Sequence, residues 1–206
     1  PRVVKRIGLF GGVDIQGAVL VDAVTGDSQY YEEVPNWVDT LYVPDLIMQQ
    51  YDYYGTLVHG FINSVLGQRD VTQTTSGYNY IAMHDDVYAY TGVTSANADQ
   101  SNLGFLLCNM RTKETHFYTA PGATEYAAMA SAQGVVQDLG YTATFPLLLN
   151  IAGEPTYFIP LKDATNLVKT YAMVNVAQYQ IVATGTTVSA CEQSYIQMLS
   201  EKGITQ

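Results

Sequence analysis

One pattern recurs along the chain in fixed order, and it constrains the fold more than any other feature. Gly17-Ala18-Val19-Leu20-Val21-Asp22-Ala23-Val24-Thr25-Gly26-Asp27 is a short apolar run that ends in turn residues. Gly104-Phe105-Leu106-Leu107-Cys108-Asn109-Met110-Arg111-Thr112-Lys113-Glu114 has the same shape, displaced by 87 positions. Gln29-Tyr30-Tyr31 and His116-Phe117-Tyr118 follow as returning strands, and Pro35 and Pro121 stand near their ends. Each copy reads as a β-hairpin whose turn is supplied by Asp or Asn with Thr.

A helix follows each hairpin. In the first copy Pro44 stands at the first helical position, and Leu46, Ile47, Gln50, Tyr51 and Tyr54 carry helical spacing up to Gly55. In the second, Thr124 is the N-cap, and Tyr126, Met129, Ala130 and Val136 form the apolar face up to Gly140. Strands come next in pairs: Phe61–Gly67 with Leu148–Gly153, Tyr78–Ala82 with Thr156–Pro160, and Val87–Thr91 with Val168–Ala172. The predicted fold is therefore α+β: tandem duplicated β-β-α-β-β-β units with a period near 86, antiparallel sheets, and a helix packed on one face of each. A C-terminal strand at Tyr179–Val182 and a helix from Val188 to Lys202 complete it, with Thr187 as N-cap and Gly203 as stop. Gly67–Gly77 and Thr94–Asn102 read as loops. The division expected is a first α+β repeat over 1–103 and a second over 104–206, packed as one compact unit.

Charge narrows the partners. The net charge is −10, and residues 1–103 hold four basic against twelve acidic side chains. No Lys or Arg lies between Arg6 and Arg69. Phosphate backbones and anionic headgroups would be repelled by that half, so nucleic acid is not an expected partner. Charged residues make up only 14%, so much of the polar surface falls to uncharged side chains and to the 17 tyrosines. No apolar run reaches the roughly 18 residues that span a bilayer. The chain opens at Pro1 with no signal-peptide pattern, and reads as a piece of something longer. Cys108 and Cys191 are 83 positions apart, which excludes a Cys-x-x-Cys motif and favours two buried thiols over a disulfide.

Two stretches carry a resemblance. Val19-Leu20-Val21-Asp22-Ala23-Val24-Thr25-Gly26-Asp27 is similar to the hairpin that closes a PepSY domain, a small extracytoplasmic module of bacterial envelopes. Tyr157–Asp163 with Leu167–Val174 resembles the soluble part of a family of multi-pass membrane proteins from Gram-positive bacteria. Lys113 departs from the hairpin pattern where Gly26 keeps it. The resemblance implies a non-enzymatic interaction or regulatory domain at the extracytoplasmic face of the cell membrane, anchored through its parent protein, with no catalytic residues and no cofactor.

Motifs for chemistry are missing from the sequence. Gly8, Gly11 and Gly12 lack the spacing and the Lys-Ser/Thr ending of a phosphate loop. His84-Asp85-Asp86 is the densest cluster of titratable groups, and His84 with Asp86 would need His59 as a third ligand. A tight turn between strands explains the cluster better. Asn97, Asp99, Ser101 and Asn102 alternate like half a calcium loop but lack its glycine and its glutamate, and read as a polar linker. Tyrosines crowd the first hairpin and helix. Tyr51, Tyr53 and Tyr54 span more of the helix than one buried stripe, so at least one ring is expected in solvent. With Trp37 they form the expected interaction surface, for a protein partner or alternatively a cell-wall glycan.

Overall fold

The computed structural model describes residues 1–7, 12–96 and 102–205. It is a mixed α/β protein built on three antiparallel sheets. The first sheet holds β1 (Arg2–Ile7), β2 (Gly12–Val21) and β3 (Ser28–Tyr31) in that order. Helix α1 (Pro44–Leu57) and a π-helical turn (Asn63–Gly67) lead to the second sheet. There β4 (Thr72–Thr74) and β5 (Asn79–Met83) share one edge of β6 (Asp86–Ser95), followed by β7 (Asn102–Asn109) and β8 (Thr115–Gly122). Helix α2 (Glu125–Val135) leads to the third sheet. In it β9 (Thr142–Ala143) and β10 (Leu147–Ile151) share one edge of β11 (Glu154–Lys162), then β12 (Val168–Asn175) and β13 (Val182–Gly185). Helix α3 (Val188–Glu201) closes the chain.

The element order departs from two β-β-α-β-β-β units. Phe61–Gly67, expected as a strand, is helical, and Gly67–Gly77, expected as a loop, contains β4. β1 was not anticipated, and the last strand lies at Val182–Gly185 instead of Tyr179–Val182. Gly55 does not stop α1, which runs on to Leu57 with Gly55 buried inside it. A Cβ there would stand 2.4 Å from the Thr72 carbonyl oxygen, so the glycine lets α1 lie close against β4. Thr94 and Ser95 finish β6 and Asn102 opens β7, while Asn97, Asp99 and Ser101 lie outside the described residues. A division between 103 and 104 would cut through β7, which pairs along its length with β6.

What recurs is a three-stranded meander followed by a helix, and the agreement reaches single residues. Each second strand carries a bulge six positions before its turn residue: Gln16 before Asp22, Leu103 before Asn109, Lys169 before Asn175. Each turn residue uses its side-chain oxygen to accept from backbone N–H groups ahead of it: Asp22 from Val24 and Thr25, Asn109 from Arg111 and Thr112, Asn175 from Gln178. Gly26 and Lys113 hold the same turn position with φ of 80° and 69°, so the lysine adopts the glycine's left-handed backbone. Ahead of each inner helix the backbone reaches the next sheet: the Leu41 and Tyr42 N–H groups donate to the Met110 carbonyl, and the Ala123 N–H to that of Val176.

The helices cover the sheets unequally. α1 sets Ile47 against Ala89, Cys108 and Met110 of the second sheet. α2 sets Ala128 and Ala132, with Val136 just past its end, against Tyr157, Ile159 and Val174 of the third. α3 covers that sheet's other face with Cys191, Tyr195 and Leu199 against Met173, Ile181 and Ala183. The third sheet is thus sandwiched and carries most of the core. Thr124 and Thr187 cap α2 and α3 by accepting from Ala127 and Ala190 N–H, as the sequence predicts. Cys108 and Cys191 are both buried and free.

Candidate functional site

The densest titratable cluster is structural. His84 and Asp85 form the β5–β6 turn with φ of 51° and 61°, a conformation that the turn itself demands. Asp86 turns to Arg111, which donates from Nε at 2.8 Å and Nη2 at 2.6 Å, and accepts from Asn109 Nδ2 at 2.8 Å. Arg111, with Asn109, holds the Asp86 carboxyl below the ordinary aspartate range. No group of three His, Cys, Asp or Glu side chains that could hold a metal occurs among the described residues.

The expected aromatic surface divides in two. Trp37 is 68% exposed and lines a cleft of about 410 Å³ with Leu20, Val21, Asp22, Asp27 and Tyr31. Tyr53 lines another, with Asp45, Gln49, Asp52 and Thr74. The two clefts have no lining residue in common. Tyr53 and Tyr54 are exposed, while Tyr51 is half-buried with its ring 6.4 Å from that of Tyr54. Helical geometry explains this: Leu46 and Ile47 face inward, Gly55 rests on β4, and the residues between them on the far side meet solvent.

Beyond Tyr54 the exposed apolar surface continues instead of ending. Leu57, Val58, Phe61, Ile62, Val65 and Leu66 are all between 46% and 83% exposed. Two turns of helix make this possible. Gly60, at φ 91°, redirects the chain after α1, and the following segment closes with the Gln68 N–H donating to the Asn63 carbonyl at 2.6 Å. The Asn63 side chain seals the knob: its Nδ2 donates to the Arg69 carbonyl, and its Oδ1 accepts from the Arg69 N–H. With its polar groups turned to its own backbone, the knob presents four large apolar side chains outward. Such π-helical turns frequently mark functional positions. Sequence reasoning missed these four by reading Phe61–Gly67 as a strand. Their signal was present in the i, i+1, i+4, i+5 spacing, and in the absence of any Asp or Glu from Tyr53 to Arg69 in a chain with nineteen.

One buried group stands apart. Glu125, fully buried at the start of α2, accepts from the Tyr90 hydroxyl at 3.0 Å through Oε1, while Oε2 has no hydrogen-bond partner among the described residues. Thr75 stands near, but its hydroxyl engages Thr91 and the Gly92 carbonyl. Burial pushes the Glu125 carboxyl above the ordinary glutamate range. A Cβ at position 92 would stand 2.0 Å from Oε1, so Gly92 makes room for the carboxyl. The group is enclosed, and it reads as part of the packing between the second sheet and α2.

No protein-family model, no curated protein and no solved structure matches the chain.

Proposed function

We propose that the protein is a non-enzymatic interaction module, engaging a protein partner through the apolar ridge that runs from Tyr53 and Tyr54 over the knob to Leu66. The observation that carries this reading is the run of eight large apolar side chains exposed within fourteen residues. Contiguous apolar surface of that kind on a soluble protein marks contact with another molecule. Aromatic anchors at one end and an acid-free stretch along its length suit the desolvated centre of an interface. The hairpin resemblance adds the setting: an extracytoplasmic accessory domain of a membrane protein. The glycan alternative has less support, because Trp37 and the tyrosines line separate clefts. The proposal extends to descent, with the meander-and-helix units as copies of one ancestral unit; the matching bulges and turn hydrogen bonds support it.

The test compares wild type with Ile62→Asp/Leu66→Asp. Both positions are exposed, so the melting temperature is expected to hold within the range of about 0.5 kcal/mol usual for surface changes. Chemical crosslinking on intact cells followed by mass spectrometry should identify a partner that crosslinks to the knob in the wild type and is lost from the double variant. A partner retained equally by both proteins would count against the ridge, and a large loss of stability would show it to be core.

A further inference from the structure

The recurring unit builds one place twice, with different residues. β4 and β9 share a register: Thr74 pairs Val93 and the Thr75 N–H donates to the Gly92 carbonyl, while Ala143 pairs Leu161 and the Thr144 N–H donates to that of Pro160. The helix before each strand accepts the same edge N–H, Asp52 from Thr74 and Gln133 from Ala143. Past that point the two units part. The third continues with Phe145 and Pro146, and the Phe145 ring lies 6.4 Å from that of Tyr90 and 6.3 Å from that of Tyr126. The second continues with Ser76, Gly77 and Tyr78, and here the surface is a polar groove between α1 and the start of α2. The fold accepts an apolar filling at this place, so the polar lining of the second unit is not a demand of the fold.

Thr74, Thr75 and Ser76 are the floor of the groove, because two clefts of about 510 and 500 Å³ have these three lining residues in common. One end rises on Gln73, Thr94, Thr124 and Tyr126, the other on Asp45, Gln49, Asp52 and Tyr53. The floor is pinned at every step. Thr74 donates to Asp52 from its N–H at 2.6 Å and its hydroxyl at 3.2 Å, Thr75 donates to Gly92, and the Ser76 and Tyr126 hydroxyls share a bond of 2.7 Å. Gly77 then lies on Phe145, where a Cβ would stand 2.3 Å from the ring. Tyr126 is fixed by Ser76 at its hydroxyl and by Phe145 at its edge, yet 47% of it stays exposed, and Tyr53 at the far end is 55% exposed. A floor and a ring already held in place lose little freedom on binding.

The lining fixes the chemistry of the ligand. Hydroxyl and amide side chains both donate and accept hydrogen bonds. No Lys or Arg is among the lining residues, Asp45 and Asp52 are, and the enclosed Glu125 carboxyl stands near Thr75. An anionic ligand would be repelled there, and an apolar one would leave the hydroxyls without partners. An uncharged ligand rich in hydroxyls meets both conditions. The exposed ring at each end offers an apolar face to the C–H face of a sugar. We propose that this groove is a carbohydrate site that takes a short run of an uncharged glycan. Tyr126 and Tyr53 are its stacking platforms, and the Thr74–Ser76 floor with Gln73 and Gln49 supplies its hydrogen bonds. The site does not use Trp37, and Tyr53 alone is common to it and the apolar ridge.

The test works at the Tyr126 end and leaves the ridge untouched. Amide chemical shifts of the whole chain are followed by NMR as triacetylchitotriose, cellotriose and maltotriose are added in turn. Trigalacturonic acid is the anionic control, and a Thr-Ser-Gly repeat peptide is the polypeptide control. At least one neutral trisaccharide should give saturable shifts at Thr74, Thr75, Ser76 and Tyr126 at millimolar concentration, and the anionic one none. Tyr126→Ala should weaken that binding about fivefold or more, the loss expected of an anchor, while Tyr126→Phe, which keeps the ring, should hold it within about twofold. Retention on the matching insoluble glycan as well would make the source a polymer, and binding of the trisaccharide alone would make it a soluble sugar; either outcome supports the site. No saturable shift from any neutral trisaccharide would overturn the proposal. So would equal binding of the anionic trimer, saturation by the peptide alone, or unchanged affinity in Tyr126→Ala.

Discussion

Glu125 shows how one residue can set the pH response of the chain. Its carboxyl is enclosed by Tyr90, Gly92 and the Thr75 region, with no cation in contact among the described residues. Tyr90 and Tyr157, the nearest titratable groups, are themselves pushed up, chiefly by burial and then by the Glu125 charge. Folding thus favours protonated Glu125 over the charged form. A raised folded-state pKa means that the stability from the neutral acid is fully present below the ordinary glutamate pKa. It is lost as pH rises through the folded value. The Glu125→Gln variant, neutral at every pH, should melt higher than wild type at pH 8, by the equivalent of about 1 kcal/mol or more. At pH 4 the two should melt alike. Melting temperatures of both proteins across pH 4 to 8 check this, and parallel curves would show that Glu125 carries no such load.

Among the elements, the hairpins were the most legible in sequence and for a definite reason. Gly17 and Gly104 both lie beneath the third strand of their meander. A Cβ would stand 2.3 Å from the Tyr31 carbonyl oxygen in one and 2.1 Å from that of Tyr118 in the other. Tyr30 and Phe117 lay their rings over the same glycines. The spacing of glycine, turn Asp or Asn, and aromatic pair was therefore fixed by contact across the hairpin, and it survived as a pattern. The Gly104→Ala variant should lose about 2–4 kcal/mol, because the clash is with backbone in a paired strand; chemical denaturation measures it. The helix caps Thr124 and Thr187 were legible for a similar local reason. The phase of the repeat was not. β4 is three polar residues on a sheet edge, and a short apolar run such as Phe61–Leu66 fits strand or helix equally. With one strand miscounted, Tyr78–Ala82 was matched to β11, whereas the pairing sets β5 in the place of β10. The ridge was half visible: helical geometry requires at least one of Tyr51, Tyr53 and Tyr54 in solvent without saying which, and the knob depends on Asn63 closing over Arg69.

At the scale of the whole molecule the three sheets differ in cover, and stability should follow that order. The third sheet lies between α2 and α3, with Tyr157, Ile159, Leu161 and Tyr195 fully buried. The second has α1 on one face, and Tyr90 with Phe105, Tyr118 and Phe145 on the other. The first has only Ile15 and Ala18 against Leu41 and Leu46, while Val4 and Val21 stay exposed. Units in a repeating array contribute through their own core and through their neighbours, so the unit with the thinnest cover is the first to loosen. Native-state hydrogen exchange in rising denaturant should resolve three levels. Amides of β11 and β12 should exchange only by global unfolding, those of β6 and β7 at an intermediate free energy, and those of β2 and β3 most readily. The gap between the first and third sheets should reach a few kcal/mol, given the fully buried side chains that the third sheet gathers and the first lacks. A single free energy and a single denaturant slope for all three sheets would contradict this, and would mean that the links from Tyr42 to Met110 and from Ala123 to Val176 bind the units into one cooperative body.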